Sequence, residues 1–126
     1  MSQRIVIASG AVRAVGELND TPCAAALAAA LPLRSRASTW GDEVYFDTGV
    51  NCALEGGARD EMAVGELGYW PTGRALCAFF GPTPASDEAG APRAASPVNV
   101  VGRIRDDPNV FRGIHSGDEI RVEAQT

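Results

Sequence analysis

Groups able to do acid, base or nucleophilic chemistry are few and scattered. His115 is the only histidine. Its neighbours, Gly113 before it and Ser116-Gly117-Asp118 after it, make it read as a solvated turn residue rather than a general base. Carboxylates occur as adjacent pairs: Asp42-Glu43, Asp60-Glu61, Asp87-Glu88, Asp106-Asp107 and Asp118-Glu119. Neighbours on a strand point to opposite faces, so no such pair makes a catalytic dyad, and turn or cap chemistry accounts for most of them. The three cysteines, Cys23, Cys52 and Cys77, are far apart, odd in number and without a C-x-x-C spacing. That excludes a disulfide framework or a structural zinc site as the expectation, and a reducing cytoplasm suits all three. Cys77 lies in the apolar run 75–80 and reads as a small core residue. No phosphate-binding glycine loop, H-E-x-x-H or G-x-S-x-G is present. No cofactor is implied, and the catalytic residues, if there are any, are unassigned.

Two features carry binding chemistry instead. All but one of the aromatics fall at Trp40, Tyr45, Phe46, Tyr69, Trp70, Phe79 and Phe80. Tyr45 alternates with Glu43 and Asp47, opposite Val44 and Phe46, so it points away from the apolar interior. Trp70 precedes Pro71 in a turn. After the apolar run, 81–88 sets Thr83, Ser86 and Asp87 on a backbone stiffened by Pro82 and Pro84. This segment is either a rigid self-capping turn or the polar wall of a pocket. The candidate site is therefore the place where Tyr45, Tyr69 and Trp70 approach 81–87, with Glu43 as polar anchor and Thr83 and Asp87 opposite. Its ligand would be a small molecule or peptide held in an aromatic groove.

The elements that must position these residues are short. A hairpin over 4–8 and 12–17 is followed by Asp20-Thr21-Pro22, which caps and opens the one strong helix, 22–31. Strands are expected at 33–39, 43–47, 61–64, 74–80, 98–104 and 119–124, with a strand fragment within 65–73 and a short helix opening at 106–111. Residues 81–97 hold four prolines and no periodicity, and read as a long loop. The run 74–80 is apolar after its first residue, so both its faces should be covered. The fold class is mainly β, one domain over 1–126, with one or two short helices.

Composition narrows the partners. The chain has 126 residues, a net charge of −5 and eleven basic residues, all of them Arg. The arginines form no basic face, so nucleic acid is not an expected partner. No apolar stretch approaches the ~20 residues of a spanning helix, and no secretory leader is expected, so neither is a membrane. The oligomeric state cannot be read from the residues.

Three segments, 39–46, 65–84 and 97–104, resemble the atypical, minimal cyclophilin-like proteins of prokaryotes. That family is a cyclophilin-like domain of unknown function. The stretch Trp70-Pro71-Thr72-Gly73-Arg74-Ala75-Leu76-Cys77-Ala78-Phe79-Phe80-Gly81-Pro82-Thr83-Pro84 is the most specific part. The resemblance implies an eight-stranded closed barrel with a helix at an open end. Cyclophilins that isomerise prolyl bonds use an arginine in a Phe-His-Arg segment, followed by Gln-Gly-Gly-Asp. Here 43–47 has no arginine, and the only glutamines are Gln3 and Gln125. The resemblance thus carries the barrel and not the isomerase site. Three functions remain: a binding module, an atypical prolyl isomerase, or a small enzyme or subunit acting on an amide metabolite. An arginine in the groove, Arg36 or Arg74, would favour the second. Glu43 clustered with Thr83 or Asp87 would favour the third. An aromatic groove with neither favours the first.

Overall fold

A computed structural model of the protein describes residues 2–125. The first two strands, β1 (Gln3–Ser9) and β2 (Val12–Leu18), form the hairpin, turning at Gly10 with a positive φ of 56°. Helix α1 (Pro22–Ala30) starts where the Thr21 hydroxyl accepts from the Ala24 N–H and Pro22 takes the first turn, and it buries Cys23, Ala24 and Leu27. Then follow β3 (Leu33–Arg36), β4 (Ser38–Thr39), β5 (Glu43–Asp47), β6 (Arg59–Glu61), β7 (Glu66–Trp70), β8 (Ala75–Phe79), β9 (Arg93–Ile104) and β10 (Glu119–Ala124). Short 3-10 turns occupy Pro71–Gly73 and Pro108–Gly113. Strand makes up 45% and helix 15%, so the chain is mainly β.

The expected closed barrel of eight strands is corrected to an open path of nine, β3-β10-β1-β2-β9-β7-β8-β5-β4, with β6 paired to β9 off that path. Its end strands, β3 and β4, are consecutive pieces of one segment and form no ladder with each other. Ala37 between them donates its N–H to the Asp118 carbonyl and accepts from the Gly117 N–H, both at 2.8 Å. Before Ala37 the chain follows β10, and after it the chain crosses to β5. The continuous strand expected over 33–39 breaks at this residue.

Other boundaries move for physical reasons. The strand expected at 61–64 lies at Arg59–Glu61. The long loop shortens because β9 begins at Arg93 and runs through Pro97. Pro97 is tolerated there because the β6–β9 ladder is irregular, pairing Arg59 with Val98 but Glu61 with Arg93.

Two apolar clusters share the sheet between them. Ile5, Ile7, Leu18, Leu27, Val44, Phe46, Leu67, Tyr69, Leu76, Phe111, Ile120 and Val122 belong to the larger one. On the outer face, Ala75, Cys77 and Phe79 of β8 meet Met62, Ala94 and Val98, with Tyr45 and Trp70 packed alongside. All of β8 is therefore buried, as an apolar run covered on both faces must be.

Candidate functional site

Strand parity builds the site. On β5, Val44 and Phe46 enter the larger cluster, which turns Glu43 and Tyr45 to the outer face. Antiparallel pairing sets Tyr45 opposite Cys77 and Glu43 opposite Phe79. The β4–β5 turn is closed by the Trp40 N–H donating to the Glu43 carbonyl at 2.9 Å. Gly41 sits in this turn with φ of +59°, and a Cβ there would stand 2.9 Å from Thr83 Cα. Only glycine permits both that backbone conformation and that close approach. Asp42 ties the turn to the chain after β8, donating its N–H to the Pro82 carbonyl and accepting from Phe80, both at 2.9 Å.

Between the turn, β5, β8, the end of β7 and the start of β9 lies a cavity of about 190 Å³. Trp40, Glu43, Tyr45, Trp70, Cys77, Ala94, Ala95 and Val98 line it. The Tyr45 and Trp70 rings meet edge to face, 6.3 Å between centroids and at 87°. Trp70 is fixed by its indole N–H, which donates to Ser96 Oγ at 2.9 Å. Glu43 is the acid of this apolar enclosure, only 6% exposed. Burial pushes its carboxyl up to about 7, partly offset by the neighbouring Cys77 thiol. Burial first, and then the Glu43 charge, pushes the Cys77 thiol far up, so it stays protonated. No arginine lines the cavity.

The structure thus brings Glu43, Tyr45 and Trp70 together and sends the other candidates elsewhere. Tyr69 faces the larger cluster, donating its hydroxyl proton to the Val50 carbonyl and accepting from the Cys52 N–H. Parity explains the split, since Tyr69 and Trp70 are adjacent on β7. Thr83 is buried in its loop, where its hydroxyl donates to the Arg93 carbonyl. Asp87 is exposed and accepts from the Ala89 N–H, a local turn bond. Trp40, Cys77 and the start of β9 are wall residues that sequence reasoning did not assign. Pairing β5 with β8 would have found Cys77, since it directly opposes Tyr45.

The two arginines that bear on isomerase chemistry are held outside the cavity. Arg36 lines an adjoining groove that shares Tyr45 and Trp70, and donates to the Gly117 carbonyl at 2.9 Å. Arg74 pairs with Asp47 at 2.8 Å. A larger depression, about 500 Å³, holds Glu17, Glu66 and Arg103, but its acids already face Arg4 and Arg59. His115 is exposed on its turn, its N–H donating to Asp118 at 2.8 Å. Among the described residues no helix is long and apolar enough to cross a membrane.

Comparison with known proteins places this geometry in a wider setting. A family model described as Cyclophilin-like matches residues 3–123. The solution structure of the hypothetical protein AF2241 from Archaeoglobus fulgidus superposes with a TM-score of 0.82 at 38% sequence identity, over 98% of this chain and 95% of that one. No curated protein sequence matches the chain.

Proposed function

The chain belongs to the cyclophilin-like family, and from that premise we propose that it is a binding module which takes a small molecule, or one peptide side chain, in the aromatic cavity beside Glu43. The observation that carries this reading is a carboxyl only 6% exposed in an otherwise apolar, aromatic-walled cavity. Burying an ionisable group destabilises a fold unless partners compensate, and an apolar side chain would serve packing better. Retaining an acid where it costs stability is what a binding site does when the ligand supplies the missing partner. The volume suits one small ring or one short side chain, smaller than a drug-sized site.

The alternatives find less support. Prolyl isomerisation needs a donor at the prolyl nitrogen, and Arg36 and Arg74 are both engaged outside the cavity. Amide chemistry would be supported by Thr83 or Asp87 beside Glu43, and neither lines the cavity. The module reads as a single domain, and its unpaired cysteines suit a reducing cytoplasm.

Both tryptophans of the chain, Trp40 and Trp70, line the cavity, so intrinsic fluorescence reads it directly. A compound found by thermal-shift screening should perturb that emission, and its binding should be lost in Trp70→Ala and Tyr45→Ala with the circular-dichroism spectrum unchanged. Equal affinity in the wild type and both variants would refute the site.

A further inference from the structure

We infer that the cavity is an aromatic cage for a small ammonium group, with Tyr45, Trp70 and Trp40 as its walls and the Glu43 carboxylate as its counter-ion. The inference rests on the binding reading above and names the ligand class.

The one charged group of the enclosure and its aromatic walls are both complementary to positive charge. Tyr45 and Trp70 both line the cavity and meet edge to face at 87°, so their ring planes lie perpendicular to one another in its wall. Trp40 adds an indole from the β4–β5 turn. Aromatic faces carry negative quadrupole density, and rings set at right angles around one centre are how proteins hold alkylammonium ions. Glu43 adds the one acid, and no ion pair of Glu43 is present among the described residues. A neutral apolar guest would find the walls sufficient and give the carboxylate no counter-charge, while an anion would be repelled. An ammonium guest satisfies both, pairing with the carboxylate and sitting against the rings. The net charge of −5 draws cations towards the surface.

The surroundings of Glu43 leave the cation role to the ligand. From β8 it faces the Cys77 thiol, which remains protonated, and on its own strand Tyr45. From β9 the lining residues are Ala94, Ala95 and Val98, and from β7 Trp70, none of them titratable. Arg93, at the start of β9, is engaged with Asp60 and Glu61 at 3.1 Å each. Asp42, beside Glu43 in sequence, pairs with Arg112 at 3.0 Å. Farther along β5, Asp47 pairs with Arg74.

An ammonium needs the ionised carboxyl, and the free carboxyl titrates near 7. Affinity should therefore rise with pH, by at least about tenfold between pH 5.5 and 8.5, while the amine itself stays charged throughout. The probes are n-butylammonium and its neutral isostere 1-butanol, followed by tryptophan fluorescence and by the two indole N–H resonances. The expected result is that n-butylammonium shifts both indole signals and tightens with pH, while 1-butanol binds more weakly and without pH dependence. Glu43→Gln should remove both the preference for the cation and the dependence of its affinity on pH. The wild-type pH dependence stands as evidence by itself should that variant not fold. An Nα-acetyl-lysine methylamide arm separates the sources: tighter binding than n-butylammonium means a peptide-borne amine, weaker binding a free one. If 1-butanol binds as tightly as n-butylammonium at pH 8.5, or the cation's affinity ignores pH, the cage is overturned while the binding reading survives. If neither these probes nor a broad fragment screen perturbs either tryptophan, the binding reading falls and the cage with it.

Discussion

At Glu43 the burial that makes the residue interesting also sets how the protein responds to pH. Its carboxyl titrates near 7 in the folded chain, against 4.5 in the unfolded one. The folded state therefore holds the proton more tightly. Stability from this group is fully present below pH 4.5 and is lost as pH rises through 7, where both states are ionised and burial disfavours the charge in the folded one. At about 1.4 kcal/mol per unit the swing is about 3 kcal/mol. Glu43→Gln keeps the shape and removes the charge, so urea unfolding at pH 8 should show the variant more stable than wild type, and at pH 4.5 nearly equal. A variant less stable than wild type at pH 8 and equal to it at pH 4.5 would show that the carboxylate gains more from its surroundings than it loses by burial. Of the six candidates read from the sequence, Glu43 and Tyr45 share one face of β5 because parity along a strand is local, and Trp70 joins them from β7, while Tyr69, Thr83 and Asp87 do not line the cavity. Single-residue reading missed Cys77 because a thiol in an apolar run carries no local sign of which face it takes.

Elements were legible where their signals are short-range and less so where pairing overrides them. The Asp20-Thr21-Pro22 start marks α1 to within a residue, since capping and a first-turn proline are local chemistry. The apolar run at β8 announced two-sided burial for the same reason. By contrast β9 begins five residues before the expected 98, because a strand start at Arg93 depends on β6 arriving from elsewhere in the chain. The break at Ala37 depends likewise on residues 117–118. Tyr69 and Trp70 differ in destination only through which face of β7 meets the interior, which sequence alone could not orient. β9 is the strand that joins the parts, pairing with β6 at its start, β7 in its middle and β2 at its end. Gly102 sits in the last of these ladders, and a Cβ there would stand 2.1 Å from the Glu17 carbonyl oxygen. That atom is backbone and cannot turn aside. Gly102→Ala should cost about 1–3 kcal/mol by forcing β2 and β9 apart. Hydrogen exchange should then localise the loss of protection to residues 16–18 and 102–104, and a variant with wild-type stability and protection would show that the ladder yields freely.

For the whole molecule the architecture and the chemistry separate. The path of strands ends on two halves of one segment, and the cyclophilin-like relationship fixes that architecture without fixing an activity. Isomerisation of a prolyl bond requires a donor at the amide nitrogen, which favours the twisted peptide, and among the described residues the cavity is lined by an acid and by no arginine. Arg36 is the guanidinium nearest in role, lining the groove that shares Tyr45 and Trp70. It lies beside the Ala37 break, bonded to the Gly117 carbonyl, where it serves the turn before β10. Its release would remove a bond from the same turn that anchors Ala37. In a protease-coupled assay with an alanyl-prolyl peptide, the protein should therefore leave the rate at its uncatalysed value across pH 6–8. Arg36→Ala should not alter that rate, although it should lower the melting temperature slightly through the lost bond to Gly117. Turnover well above background that vanishes in Arg36→Ala, and persists in Arg74→Ala, would instead make the adjoining groove an isomerase site and Arg36 its donor.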